Sequence, residues 1–201
     1  LLSINQKFKN KSYVDFSSNI SIGKTDTDQK ELSNAIFYDG SRDNTNRHVN
    51  SKNISKNDSY NFDLKYTLPI TDSINIAVGS AYNLSNSETN NTSLNYNNLT
   101  GEYEEINTDL SRFFKTNLNQ FNPYAQFLLN KSKLSASIRV GAEIYNQDNF
   151  GSYQNRDYSL IQQKTLPDLQ GNIRYQSGNN SIMFMYSYDT SLASSSQVLP
   201  I

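Results

Sequence analysis

The sequence predicts an all-β protein: an antiparallel, up-and-down segment of a transmembrane β-barrel, about eight strands of a larger wall. Three observations lead there. Apolar and polar residues alternate with a period of two along most of the chain, and helical periodicity is nearly missing. The connections between the alternating stretches are short and long in turn. And 14 Tyr with 10 Phe sit in a chain that is only 35% hydrophobic, too many aromatics for a typical disordered chain.

The elements follow in order. Residues 1–7 read as a partial strand. In 13–22, Val14, Phe16, Ile20 and Ile22 share one face, and Asp15, Ser17, Asn19 and Ser21 the other. In 60–68, Tyr60, Phe62, Leu64, Tyr66 and Leu68 oppose Asn61, Asp63, Lys65 and Thr67. In 73–84, Ile74, Ile76, Val78, Tyr82 and Leu84 make the apolar face. Residues 110–129 and 162–175 are less regular but readable as strands. In 133–145, Leu134, Ala136, Ile138, Val140, Ala142 and Ile144 oppose Ser135, Ser137, Arg139, Gly141, Glu143 and Tyr145. In 181–188, Ile182, Phe184, Tyr186 and Tyr188 close the series.

Short turns fall near 8–11, 69–72, 130–133 and 176–180. Long polar connections are expected over 24–59, 85–109 and 146–164. Up-and-down strands put all the short turns at one end and all the long loops at the other. Loops that long are unusual in a compact soluble domain. They are normal on the outer side of a membrane barrel, with short turns on the periplasmic side. Eight strands with ~9–11 embedded residues need roughly 40 lipid-facing apolar positions, which the composition supplies. The loops then account for the mean hydropathy of −0.70. A soluble β-sandwich also alternates; the charged residues opposite so apolar a face suit a wet lumen better.

Composition narrows the function. The net charge is −1, which argues against a basic footprint for nucleic acid and against a polybasic membrane-surface patch. There is no Cys and one His, so thiolate zinc sites, cysteine nucleophiles and multi-histidine metal cages have no ligands here. No signal peptide opens the sequence at Leu1, and no apolar run reaches the length of a transmembrane helix. The ends read as cut from something longer, so residues 1–201 are expected to be one portion of a barrel.

Local motifs carry little chemistry. Gly23, Lys24 and Thr25 follow a strand and lack the spacing of a phosphate loop. His48 has no acid or nucleophile beside it in sequence and reads as a solvated loop residue. Asp26, Asp28 and Glu31 form an acidic cluster whose oxygens are a candidate Ca²⁺ site, with Asp39 and Asp43 in the same expected loop. Glu102, Glu104 and Glu105 read as solvated. No other cofactor is expected. On the polar faces, Asp63, Lys65, Arg139 and Glu143 are candidate lumen or substrate residues. Arg139 and Glu143 lie about 13 Å apart along one strand, so each is expected to pair across strands.

Three stretches resemble TonB-dependent receptors of the Bacteroidota outer-membrane barrel type. They are Asn122 to Phe127, Leu134 to Glu143, and Leu166 to Tyr175; a fourth runs from Tyr186 through Pro200. In the second, Arg139 precedes Gly141 where the family has the reverse order, and the family's Arg-Pro is replaced near Ser194. The resemblance implies a barrel of about 22 strands in the bacterial outer membrane. It implies an N-terminal plug, a TonB contact outside these residues, and in many relatives a surface lipoprotein lid. The expected function is nutrient import of a glycan, peptide or metal chelate, without covalent chemistry. Two other classes stand beside it: a transport-inactive structural subunit of an outer-membrane complex, and a complete eight-stranded anchor or adhesin barrel. The expected partners are lipid, TonB and a lid, with no nucleic acid.

Overall fold

The structure, a computed structural model, describes residues 1–35 and 45–188. Nine antiparallel strands form one sheet. They are β1 (Leu2–Lys7), β2 (Tyr13–Ala35), β3 (Thr45–Pro69), β4 (Ile74–Asn97), β5 (Glu102–Ile106), β6 (Arg112–Lys131), β7 (Leu134–Tyr153), β8 (Arg156–Ser177) and β9 (Asn180–Tyr188). The order is β1-β2-β3-β4-β6-β7-β8-β9, with β5 also on β4. Each strand pairs with its chain neighbour, the up-and-down topology expected. The path holds eight strands; the ninth, β5, extends the β4 edge above β6. Among the described residues no ladder joins β1 to β9, so the sheet is open.

The alternation gathers most of the apolar residues on one face, with Leu118, Leu128 and Leu166 among the exceptions on the other. Val14, Tyr66, Val78, Ala125, Val140 and Leu169 lie in one register row across six strands. No described residue covers this face: Ile20 is 55% exposed, Val78 51%, Ile138 53% and Val140 56%. Buried hydrophobic residues among those described are only Val49, Ala77 and Tyr145. A soluble domain rarely leaves so wide an apolar surface open.

The apolar band crosses the rows obliquely. Its upper limit is Ile22 on β2 but Ile144 on β7, and Ile144 registers through Phe121, Tyr82 and Phe62 with Ser18. That is four residues lower after four strand steps. Its lower limit falls as far: Ala136 registers with Leu129 and Ile74, four residues below the row of Val78 and Val14. Leu134 continues it two residues further. At ~3.4 Å per residue and ~4.8 Å per strand, the band is tilted roughly 35–45° from the rows.

The short turns lie where expected. Lys131 pairs with Leu134 around Ser132, whose φ is 48°, and Ser177 pairs with Asn180 around Gly178, whose φ is 58°. Thr71 Oγ1 accepts from the backbone N–H groups of Ser73 and Ile74 in the β3–β4 turn.

The long loops are corrected. β2, β3, β4, β7 and β8 run straight through most of 24–59, 85–109 and 146–164 as 20- to 25-residue strands. The β7–β8 connection is a two-residue turn, Gln154 (φ 50°) and Asn155 (φ 58°). The physical reason is the loss of an apolar face. Above the apolar band both faces are polar, so the Asn, Ser, Thr and Lys residues keep the backbone ladder but lose the hydrophobic period that reveals it.

Candidate functional site

The polar face is built by the odd positions of β2 to β4 and β7 and the even positions of β6 and β8. One register row runs Asp15, Lys65, Gly79, Tyr124, Gly141, Asp168. Tyr124 lies flat because its two row neighbours are glycines. A Cβ on Gly79 would meet the Tyr124 hydroxyl at 2.6 Å, and one on Gly141 would meet the Pro123 carbonyl oxygen at 2.6 Å. The Arg139 guanidinium sits over the Tyr124 ring, 3.8 Å from its centroid, well inside cation–π range. Arg139 Nε also lies 3.1 Å from Asp168 Oδ2, at an angle that makes it a Coulombic contact rather than a hydrogen bond. Asp168 is only 4% exposed, and Gln170 Nε2 donates to its other oxygen at 3.1 Å. At the row's far end Lys65 Nζ pairs with Asp15 at 3.2 Å, and Asn5 Nδ2 donates to the same carboxylate.

Next to this row lies a shallow cavity of about 280 Å³. Ser17, Asn19, Asn61, Asp63, Asn83 and Asn122 supply its polar lining, and Ala81 is the small residue between Asp63 and Asn122 in the register. Asn83 Nδ2 donates to Asn61 Oδ1 at 2.7 Å. Glu143 accepts from the Tyr145 hydroxyl and, at 3.3 Å, from Asn122 Nδ2; Gln120 Nε2 donates to that hydroxyl at 3.2 Å. Such a wall offers amide donors and acceptors with two carboxylates, Asp63 and Glu143, a surface for hydrogen-bonding solutes.

The expected polar-face residues therefore share one face but not one cluster. Arg139 pairs across strands as expected, with Asp168. Glu143 takes neutral partners, a phenol and an amide. Lys65 pairs with Asp15, and Asp63 lines the cavity. The sequence reading put Tyr145 on the polar face without a role, and gave Tyr124 and Asp168 no place at the site. Parity counted back from Leu169, Ile173 and Tyr175 would have put Asp168 on the polar face; its place opposite Gly141 comes only from the register.

The acidic Asp26, Asp28 and Glu31 cluster is dismantled by strand geometry. On β2 the even positions Asp26 and Asp28 share one face and Glu31 falls on the other. Asp26 lies 3.7 Å from Lys52 Nζ. Among the described residues no group of three or more His, Cys, Asp or Glu side chains could hold a metal ion. Asp39 and Asp43 lie outside the described residues, as does the stretch around Ser194. His48 is corrected too. It lies on β3 rather than in a loop, stacked on Tyr96 at 4.1 Å, with the Tyr103 hydroxyl 2.8 Å from its Nε2. Glu102, Glu104 and Glu105 lie on β5, where Glu104 accepts from Asn97 Nδ2 at 3.2 Å.

In comparisons with known proteins, no family model and no curated sequence matches the chain.

Proposed function

We propose that this chain is a wall segment of a bacterial outer-membrane β-barrel that imports a nutrient, of the TonB-dependent receptor kind. The observation that carries the membrane part is the oblique, uncovered apolar band. Strands of membrane barrels tilt by about 35–45°, so a horizontal hydrocarbon slab cuts the register rows at that angle. A sandwich core has no reason to follow it. On each strand the band spans about the length of chain that crosses a bilayer: Val14 to Ile22 on β2 is nine residues, against ~9–11 required. No helix among the described residues is long and apolar enough to cross a membrane; in this reading the strands cross it.

In this reading the polar face lines a wet lumen. The cavity beside Asp63 and the Tyr124–Arg139 pair sit on the import path, and no residue performs covalent chemistry. The open sheet favours a larger wall over an eight-stranded closed barrel, because an unpaired strand edge in lipid is costly. The transport role rests on the quoted motifs; a structural subunit with the same wall is its rival.

The test begins with the natural protein extracted from outer membranes. A mass several-fold above 22.9 kDa, with heat-modifiable mobility, supports the larger barrel. A mass near that value means β1 and β9 close on each other. Uptake that survives deletion of TonB overturns the transport role and leaves the structural one.

A further inference from the structure

The near-zero net charge conceals a polarity. The short-turn end carries Lys7, Lys9, Lys11, Lys131, Lys133 and Arg174 against one acid, Asp72. That leaves twelve cations and eighteen acids on the rest of the chain. All six cations are exposed, and none is in a described ion pair. The expectation of no polybasic surface came from a sum in which the two ends cancel. Topology separates them, because the β1–β2, β3–β4, β6–β7 and β8–β9 turns all project from the same edge of the sheet.

The β6–β7 turn shapes part of this rim. Lys131, Lys133 and Arg174 surround a cavity of about 230 Å³ with Ser135 and Gln176. The Lys133 carbonyl accepts from the Gln176 N–H at 2.8 Å, tying the β6–β7 turn to β8. Ser135, Arg174 and Gln176 put this cavity on the polar face; on the opposite face, at the same height, the apolar band begins with Leu134 37% and Tyr175 47% exposed. Lys131 shares that face with Leu134, its register partner. A long stem against apolar surface with the ammonium at its edge is the snorkelling arrangement.

We propose that this rim binds the phosphate of anionic phospholipid headgroups in the leaflet at the short-turn end. The proposal rests on the membrane reading above. Charge complementarity selects an anion. Continuity with the apolar band selects a lipid, whose acyl chains lie along Leu134 and Tyr175 while its phosphate meets Lys131 and Lys133. Basic pockets beside membrane spans hold such headgroups in this way.

The test uses the full-length protein in nanodiscs of phosphatidylcholine with a minor fraction of phosphatidylglycerol. Native mass spectrometry counts the phosphatidylglycerol retained on release. Lys131→Gln with Lys133→Gln should weaken retention roughly tenfold, and added salt should weaken it in the unaltered protein. Lys24→Gln with Lys115→Gln, above the band, should leave it unchanged. Equal retention in the two double variants overturns the proposal while the membrane reading stands. Displacement of phosphatidylglycerol by inorganic phosphate also overturns it, making the rim a site for free anions. A protein that does not enter nanodiscs at all overturns both.

Discussion

The ring of Tyr124 occupies the space above Gly79 that any other residue's Cβ would fill, with its hydroxyl 2.6 Å from that point. The Leu64 carbonyl oxygen closes the same space at 2.8 Å. The Tyr ring can rotate away, but the backbone oxygen belongs to the β3–β4 ladder. Gly79→Ala should therefore destabilise the sheet by about 1–3 kcal/mol, the range for overpacking. Adding Tyr124→Ala should not restore it. The denaturant midpoint of the detergent-folded protein measures both. Full rescue by the second change would mean that the ring alone makes the fit.

Arg139 joins two interactions that cannot both survive its loss. Its removal leaves Asp168, 4% exposed, with one amide donor and no cation. Arg139→Ala should cost about 2–4 kcal/mol, most of it the unpaired buried carboxylate. Arg139→Ala with Asp168→Asn should recover a large part. Additive losses in that double variant would show that the two residues act separately.

The β7–β8 turn holds two non-glycine residues at positive φ, Gln154 at 50° and Asn155 at 58°. Asn accepts this conformation and Gln less readily. Gln154→Asn with Asn155→Gly should stabilise the hairpin by about 0.5–1 kcal/mol, while Asn155→Val should cost about 1–2 kcal/mol. Amide exchange at Ser152 and Asp157, register partners beside the turn, reads the effect locally.

Legibility followed burial. Where one face is apolar, as from Tyr60 to Leu68, the period of two located the strand and its polar partners Lys65 and Asp63. Where both faces are polar, as from Lys24 to Leu32, the period vanished and a strand read as a loop. That single loss moved Asp26, Asp28 and Glu31 from one expected cluster to two faces. The charge rim was hidden for another reason: Lys11, Lys131 and Arg174 are far apart in sequence, and only the shared end of the strands brings them to one edge. Tyr124 falls inside the Asn122 to Phe127 stretch, yet its two glycine neighbours lie on other strands, and only register reveals them.

Val140 and Asn19 separate a membrane wall from a soluble sheet. Val140 is on the apolar face and 56% exposed; Asn19 is exposed on the polar face. In water alone, Val140→Lys and Asn19→Lys are both surface changes worth no more than about 0.5 kcal/mol. In a bilayer, Val140→Lys should cost roughly 2–4 kcal/mol near the midplane, with Asn19→Lys still near zero. Guanidinium unfolding from phospholipid vesicles measures the difference. Equal small effects would remove the lipid from the argument.

The tilt of the apolar band makes the sharpest geometric prediction, and the chain's lack of cysteine makes it practical. Ile20 on β2 and Gln163 on β8 belong to one register row, through Tyr60, Leu84, Asn119 and Asn146. In an untilted sheet they would sit at one depth. With five strand steps at a tilt near 40°, they differ by roughly 15 Å along the membrane normal. A fluorophore on Ile20→Cys should be quenched by lipids labelled in the acyl chain. One on Gln163→Cys should be quenched by aqueous iodide. Ile22→Cys and Ile144→Cys, four residues apart by register but both at the band's upper limit, should report one depth. Equal depths for Ile20 and Gln163 would mean that the band does not mark a bilayer, because a hydrocarbon slab has no other way to cut the rows at that angle.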